Sequence, residues 1–301
     1  MKILFITHLN EKTKNINDTI HDSVLHGLRE IYGNNVIDYP GAWYMYKEEV
    51  KKRNFDITNV WGKGFTYYDL LTNYDKIDRT DIKNKILNNY FDIIIFGSIR
   101  RSTKFFEECI NSKSKIIFID GEDHVNINTK ILNKGVYFKR ELITNKYNNV
   151  YPINCCIPKA KIIHKININP KHILAPLIAH RYSTYIYSNE KGYYKMWQDS
   201  IFGLTYVRGG WWEAVRYYEM LMNGCIPLMI NIDQCPEQTL TKLPKKLLSD
   251  IFKQYSWILN KYFPTSIYKK KFLSIKKIYL YFNFYLKKII LVILLLKNIP
   301  K

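Results

Sequence analysis

The chain has 301 residues, which fits two modest domains, and 47% of them are hydrophobic, which excludes global disorder. The formal charge of +20 indicates polyanionic partners such as acidic substrates or an anionic membrane surface. The basic residues are spread along the chain and no zinc-finger, RNA-recognition or basic-zipper pattern occurs, so we expect no nucleic-acid partner. The 5 cysteines form no C-x-x-C pair, which favours a reducing cytoplasm over a disulfide framework or zinc site.

The first half of the chain alternates strand-like and helix-like segments. KILFITH at residues 2–8 predicts a buried strand, and residues 18–32 predict a helix with Asp18 as its N-cap and Gly33 as its stop. Three further strands and one helix are predicted at residues 34–40, 91–99, 113–120 and 103–111. Continuous apolar runs separated by helices are typical of a parallel α/β sheet buried on both faces.

A dense polar cluster, Asp120-Gly-Glu-Asp-His124, follows the last of these strands. In open α/β sheets, ligands bind beyond the carboxyl ends of strands. Two such strand ends carry polar residues in this chain: this cluster, and Gly97-Ser-Ile-Arg-Arg101 after an earlier strand. Glu122, Asp123 or His124 is a candidate general base that deprotonates an acceptor hydroxyl. The cluster also fits a divalent cation site, as a minority alternative, or a polar turn. His8 follows the first strand, but a lone histidine is more often structural.

Lys139 and Arg140 follow two aromatic residues in the segment YFKREL. Their cationic side chains fit contacts to phosphate or to an acidic acceptor. The same pair also fits a solvated charged turn, and the residues themselves do not separate the two interpretations.

The segment from Thr205 to Ile230 predicts a basic glycine-containing loop, a helix stopped near Gly224, and a buried strand CIPLMI. A helix entered through Gly209 and Gly210 offers backbone N–H groups to an anion. The candidate donor-binding residues are Thr205, Arg208, Gly209, Gly210, Arg216 and Glu219. Arg208 and Arg216 suit a diphosphate and Glu219 suits sugar hydroxyls, although Arg216 and Glu219 also fit an ordinary ion pair on a solvated face.

The helix RYYEMLMNGCIP resembles the R-x-x-E-x-L-x-x-G-C-I-P element of glycosyltransferases with the GT-B architecture, including exostosin-like and family 1-like bacterial and viral enzymes. Four other segments resemble the same group in the same order: DSVLHGLREIYGNNVIDYP, IDGEDH, YFKREL and DSIFGLTYVRGGWWEAVRYYE. The resemblance covers residues 1–245 and implies that Glu219 contacts the ribose of the donor. The chain departs from many retaining members, because Glu213 and Glu219 are six residues apart rather than eight.

The resemblance implies two Rossmann-like domains around a cleft, at residues 1–158 for the acceptor and 159–245 for the nucleotide-sugar. It also implies sugar transfer to an acceptor hydroxyl in surface polysaccharide or lipopolysaccharide assembly, without a metal or any cofactor besides the donor substrate. The expected partners are a nucleotide-sugar, a glycan or glycolipid acceptor and an anionic membrane surface. Two alternatives stay open: a non-catalytic glycan- or nucleotide-binding protein, and a metal-dependent transferase centred on Asp120–His124.

Residues 246–301 are basic and apolar and predict a helical extension. Within it, residues 278–296 form an apolar stretch with Lys287 and Lys288 in the middle, which makes a spanning helix costly. This stretch fits either an interfacial anchor at the inner face of the cytoplasmic membrane or a helix packed on the body of the protein. The N-terminus has too short an apolar run for a signal peptide. We therefore expect a cytoplasmic protein, with peripheral membrane attachment as the open question.

Overall fold

A computed structural model describes residues 1–9, 18–56, 60–178, 181–206 and 212–261. The chain divides into two compact units, which we call unit 1 and unit 2. Unit 1 is Met1–Pro158 and unit 2 begins at Lys159. Both units are α/β, as the sequence predicted.

Unit 1 contains a six-stranded parallel sheet. Its strands in chain order are β1 Ile3–Ile6, β2 Val36–Tyr39, β3 Ile93–Phe96, β4 Lys115–Asp120, β5 Val136–Lys139 and β6 Val150–Pro152. They lie in the order β2-β1-β3-β4-β5-β6. The chain therefore first moves to one side of β1 and then to the other. This change of direction, between β1 and β3, is where doubly wound sheets form a ligand-binding crevice.

The helices of unit 1 are α1 Thr19–Tyr32, α2 Lys47–Lys52, α3 Ile82–Leu87 and α4 Phe106–Ile110, and local sequence signals explain the bounds of α1. Asp18 Oδ1 accepts hydrogen bonds from the backbone N–H groups of Ile20 at 3.0 Å and His21 at 3.1 Å. Gly33 ends α1 with a φ of 54°, in the left-handed region that favours glycine. The predicted N-cap and stop of this helix are confirmed.

The predicted strands of unit 1 are also confirmed, with shorter bounds than the apolar runs suggested. All four residues of β1 are fully buried, and so are Ile94 and Phe96 of β3 and Phe118 of β4. Burial on both faces is what a parallel sheet covered by helices requires. The apolar content of these strands therefore stabilises unit 1 mainly by removing surface from water.

Unit 2 contains a three-stranded parallel sheet in the order β7-β8-β9. Its elements are β7 His172–Leu174, α5 Glu190–Gln198, β8 Ser200–Tyr206, α6 Val215–Met222, β9 Ile226–Ile230 and α7 Lys245–Tyr255. The predicted strand after Gly224 is confirmed as β9. Gly224 itself has a φ of 75°, which explains why the chain turns there from α6 into the strand.

Helix α7 packs on the sheet of unit 2. Ile251 and Tyr255 belong to its apolar core, and the Tyr255 ring lies 5.0 Å from the Phe202 ring of β8. Most of α7 lies in the part of the sequence that predicted a C-terminal extension. The apolar stretch 278–296 lies outside the described residues. Within residues 1–9, 18–56, 60–178, 181–206 and 212–261, no helix has both the length and the apolar character needed to cross a bilayer.

Candidate functional site

The polar residues predicted after β4 and β5 meet at the carboxyl edge of the unit 1 sheet. Asp120 ends β4 and Lys139 ends β5, and the two residues are direct partners in the parallel register. Parallel strands place their carboxyl ends at one edge, so the segments IDGEDH and YFKREL become neighbours although they are separate in sequence.

Asp120 is the buried centre of a network that we call the Asp120 cluster, formed by Arg100, Asp120, Tyr137 and Lys139. Both Asp120 and Lys139 have no exposed side-chain surface, and Lys139 Nζ lies 2.9 Å from Asp120 Oδ1. Arg100 Nε lies 2.9 Å from Asp120 Oδ2, and the Tyr137 hydroxyl donates to the same oxygen. Lys139 Nζ also donates to the Glu122 carbonyl at 3.2 Å.

The electrostatic interactions within the Asp120 cluster favour the charged form of Asp120. Burial alone would raise the pKa of Asp120, but the adjacent Lys139, with hydrogen bonds from Tyr137 and Arg100, holds that pKa below its usual value. Burial also lowers the pKa of Lys139, and Asp120 opposes this shift. The cluster is therefore an ion pair whose desolvation is offset by several hydrogen bonds.

The three predicted catalytic residues follow directly and differ in their surroundings. Glu122 pairs with Arg101 Nε, and the exposed Asp123 pairs with Arg140. His124 is half-buried, and its Nδ1 has no hydrogen-bond partner in the described part of the chain. Of the three, His124 is the one without an ion pair among the described residues.

The structure corrects the interpretation of Lys139 as part of a solvated charged turn, whereas its contact to phosphate or to an acidic acceptor stays a prediction. Its side chain is fully buried because it is the last residue of an inner strand and pairs with Asp120 across the register. Arg140 is the next residue and its side chain is 11% exposed where it pairs with Asp123. Arg140 is therefore the less deeply buried member of the two.

A second group of polar residues, which we call the histidine cluster, lies at the carboxyl ends of β1 and β3. It consists of His8, His21, Asp22 and Ser98. His21 Nδ1 lies 2.8 Å from Asp22 Oδ1, and the Tyr44 hydroxyl donates to the same carboxylate oxygen. The His8 ring packs edge-on against the His21 ring at 4.6 Å.

Ser98 joins the histidine cluster through the register of the sheet. Ile6 pairs with Phe96 and the Gly97 N–H donates to the Ile6 carbonyl at 2.9 Å, so the chain enters Ser98 beside the end of β1. A Cβ on Gly97 would lie 2.6 Å from the His21 ring. The absence of a side chain at Gly97 is what lets His21 lie directly over these strand ends.

Five buried polar atoms of the histidine cluster lack a hydrogen-bond partner among the described residues. They are His8 Nδ1, His8 Nε2, His21 Nε2, Asp22 Oδ2 and Ser98 Oγ. His8 is 8% exposed and the other three residues are 1% exposed each. Buried polar groups are nearly always hydrogen-bonded, so a concentration of unsatisfied atoms calls for an explanation at this location.

Burial also sets the charge state of the histidine cluster. It lowers the pKa of both His8 and His21 to about 4, and it raises the pKa of Asp22 to about 8. At neutral pH both imidazoles and the carboxyl group are therefore uncharged. Among the charges nearby, Asp18 favours histidine protonation and Arg101 opposes it.

The sequence pointed to His8 as a lone histidine and to Ser98 within the strand end Gly97–Arg101, but not to their proximity. His21 and Asp22 fall inside a helix that was predicted for its cap and its apolar residues. The available signal was that His8 and Ser98 each follow a predicted strand, since such positions meet at one edge of a parallel sheet.

In unit 2, helix α6 carries the two residues on which the donor-binding prediction depends. Glu219 is 4% exposed, and its Oε2 accepts a hydrogen bond from the Tyr193 hydroxyl of α5 at 2.6 Å. Burial and the Glu219 carboxylate raise the pKa of Tyr193 well above its usual value, so this hydroxyl keeps its proton. Arg216 is half-buried, with its guanidinium 5.4 Å from the centre of the Tyr185 ring.

The start of α6 differs from the prediction. The helix begins at Val215 rather than directly after Gly209 and Gly210, because Ala214 has the extended backbone of an N-cap at φ −144° and ψ 139°. Glu219 is also buried, which corrects the alternative of an ordinary pair on a solvated face.

Of the remaining predicted donor residues, Thr205 is a buried residue of β8 that pairs with Met229 of β9. Arg208, Gly209 and Gly210 lie outside the described residues, so their proposed phosphate contacts stay predictions.

Among the described residues, no group of three or more His, Cys, Asp or Glu side chains is arranged to hold a metal ion. Comparison with protein-family models, with curated proteins and with solved structures found no match. The function proposed below therefore rests on the residues of this chain and their geometry.

Proposed function

We propose that this protein is a glycosyltransferase that moves a sugar from a nucleotide-sugar donor to an acceptor hydroxyl. The observation that carries the proposal is the buried Glu219 carboxylate, held by Tyr193 at 2.6 Å, with Arg216 one turn earlier on α6. A carboxylate accepts hydrogen bonds from the vicinal hydroxyls of a ribose, and a guanidinium pairs with a diphosphate. In this proposal, unit 2 binds the nucleotide.

The position of α6 supports this assignment. The helix follows β8, so its first turn lies toward the carboxyl edge of a parallel sheet, where open α/β sheets bind ligands. Arg216 is the second residue of the helix, near the positive end of its dipole. Arg208, Gly209 and Gly210 are predicted to complete the diphosphate contacts from the preceding loop.

We assign the acceptor to unit 1 and propose that the two α/β units are arranged as in GT-B glycosyltransferases. Each unit has its own parallel sheet, as such an arrangement requires. The acceptor we propose is a glycan or glycolipid of surface-polysaccharide assembly, handled at the inner face of the cytoplasmic membrane. The high positive charge of the chain suits that anionic surface.

In the proposed reaction, the acceptor oxygen attacks the anomeric carbon of the donor sugar while the bond to the diphosphate oxygen breaks. His124 takes the proton of the acceptor hydroxyl, since Glu122 and Asp123 are paired with Arg101 and Arg140. Arg216 and the predicted Arg208 stabilise the negative charge of the departing nucleoside diphosphate.

The contacts of Asp120 disfavour the alternative of a divalent cation at Asp120–His124. Both of its carboxylate oxygens already accept charged hydrogen bonds, one from Lys139 and the other from Arg100. A cation bound there would have to displace Lys139 from a fully buried position, at a large cost in desolvation.

The test is nucleotide release from a panel of UDP-, GDP-, ADP- and CMP-sugars, with a cell-envelope extract as acceptor. We expect one donor to turn over, with and without EDTA. Glu219→Gln should reduce kcat/KM roughly 10- to 100-fold, because it removes the charge from a buried acceptor of hydrogen bonds.

The matched control is Glu237→Gln, since Glu237 is an exposed glutamate of the same unit. It should leave kcat/KM within about twofold of the parent. Release from no donor would favour a binding protein instead, and release abolished by EDTA would return the chemistry to Asp120–His124. Equal losses in both variants would remove Glu219 from the donor site.

A further inference from the structure

We propose that the histidine cluster of unit 1 is a binding site for a hydroxyl group of an uncharged, hydroxyl-rich ligand such as a sugar. The site lies between the carboxyl ends of β1 and β3, where the sheet changes its direction of growth. His8 and Ser98 supply the hydrogen bonds to the ligand, and the pair of Asp22 and His21 positions His8.

The unsatisfied atoms of His8 and Ser98 define which hydrogen-bonding groups a ligand must carry. A neutral imidazole has one donor and one acceptor nitrogen, and a serine hydroxyl both donates and accepts. His8 has neither nitrogen bonded, and Ser98 has its hydroxyl unbonded, among the described residues. A ligand hydroxyl is a group of matching size that donates one hydrogen bond and accepts another.

An anion is excluded by the surroundings of the site, although the start of α1 is nearby. The carboxylate of Asp18 already accepts from the backbone N–H groups of Ile20 and His21, where a phosphate would otherwise bind. Arg101 is the nearby cation, but it is paired with Asp18 at 3.4 Å and with Glu122. No unpaired positive charge is left among these residues to balance a phosphate.

The groups of the cluster itself add no charge at neutral pH. Burial keeps the pKa of His8 and His21 low and that of Asp22 high, as described above. Tyr44 keeps its proton, since burial raises its pKa well above the usual value, and it donates to Asp22. An uncharged site that is rich in donors and acceptors favours a neutral polar group over either an ion or an apolar group.

Geometry assigns different roles to the two histidines. His21 is held by Asp22 at 2.8 Å and packs on Gly97, so its ring orientation is determined by the fold. His8 packs edge-on against that ring and is the most exposed member of the cluster. His8 is thus the binding residue and His21 a positioning residue.

This inference deepens the proposed function. It rests on that function for one point only, which is that the hydroxyl-rich ligand is the acceptor. The experiment uses the full chain with ¹⁵N-labelled histidine, and follows the imidazole resonances of its 7 histidines during titration. The probes are glucose, galactose, N-acetylglucosamine and glycerol, with inorganic phosphate as the anionic comparison. The variants His8→Gln and His21→Gln assign the signals.

We expect at least one sugar to shift the His8 and His21 resonances saturably, with a dissociation constant of about 1 to 10 mM, while phosphate shifts neither. Ser98→Ala should weaken that binding by roughly 2- to 10-fold because one hydrogen bond is lost. Ser102→Ala, a half-buried serine on the same loop, should bind as the parent does.

The proposal is overturned if no neutral probe shifts the two resonances, if phosphate shifts them as strongly as a sugar does, or if Ser98→Ala binds as tightly as the parent. These outcomes are separate from failure of the proposed function. Nucleotide release reports on unit 2 and the imidazole titration reports on unit 1, so either result can fail while the other stands.

Discussion

The Asp120 cluster and the histidine cluster lie at the same edge of one sheet, yet they satisfy their polar atoms in opposite ways. Asp120 and Lys139 are fully buried and accept or donate several hydrogen bonds each. In the histidine cluster, five atoms that are equally removed from water have no partner among the described residues. Arg101 pairs with Glu122, close to the Asp120 cluster, and with Asp18, the N-cap of the helix that carries His21 and Asp22.

The difference separates a part that stabilises the fold from a part that binds a ligand. A saturated network gains nothing from an additional partner and loses much when one of its members is removed. An unsaturated cluster weakens the fold until something supplies the missing hydrogen bonds. The number of charged residues in a cluster is thus a poor guide to ligand binding. The more strongly charged Asp120 cluster already has its hydrogen-bonding groups occupied.

The largest effect should follow from breaking the Asp120 cluster. Lys139→Met removes the buried cation and leaves Asp120 with Arg100 and the Tyr137 hydroxyl. We therefore expect the free energy of unfolding to fall by about 3 to 5 kcal/mol. Guanidinium unfolding followed by circular dichroism measures the change.

Lys113→Met is the matched control, because Lys113 is exposed in the same unit, and it should change stability by less than about 0.5 kcal/mol. The double variant Asp120→Leu/Lys139→Met should recover part of the loss, since no buried charge then lacks its partner. A loss below about 1 kcal/mol in the single variant would contradict the structural role of this ion pair.

A smaller effect should follow from closing the space beneath His21. The new methyl group of Gly97→Ala would lie 2.5 Å from the Phe5 ring and 2.6 Å from the His21 ring. We expect a loss of about 1 to 3 kcal/mol in the free energy of unfolding, measured in the same way, because both rings lie in a packed interior.

Gly192→Ala serves as the comparison, since a Cβ there meets its nearest neighbour only at 3.4 Å. Gly192 lies inside α5, where alanine is the better helix former, so this variant should equal or slightly exceed the parent in stability. If Gly97→Ala were as stable as the parent, the close contact between His21 and the strand ends would be wrong.

The smallest effect is the pH dependence that the histidine cluster contributes. Between about pH 4 and 6.5 the unfolded chain binds more protons at His8 and His21, while the folded chain binds one more at Asp22, so stability rises with pH. Above pH 6.5 the histidines of the unfolded chain lose their remaining protons, while the folded chain still holds the proton on Asp22. Stability then falls by roughly 1 kcal/mol between pH 6.5 and the folded pKa of about 8.

Asp22→Asn should remove that decline, because asparagine does not titrate, whereas the exposed Asp75→Asn should keep it. Urea unfolding at pH 6.5 and at pH 8 provides the measurement. A decline of the same size in Asp22→Asn would show that another group titrates in this range.

The predictions for helices and strands succeeded where the signal is local. Asp18 caps α1 because a carboxylate at that position satisfies N–H groups two and three residues later. Predicting that Asp120 pairs with Lys139 needs the register of the sheet. Predicting the burial of Lys139 needs the knowledge of which strands are central. The start of α6 was placed too early, because glycines alone do not state where helical backbone begins.

The sequence by itself determined the α/β class, the strands with the strongest apolar runs, and the residues that follow those strands. These features depend on periodicity, capping and apolar runs, all of which act over a few neighbouring residues. Only the tertiary structure decided which strand ends meet, since pairing of β1 with β3 and of β4 with β5 brings together residues that are distant along the chain. For the same reason, burial and hydrogen-bond partners, which separate a stabilising ion pair from an unsatisfied binding cluster, became visible only in the folded chain.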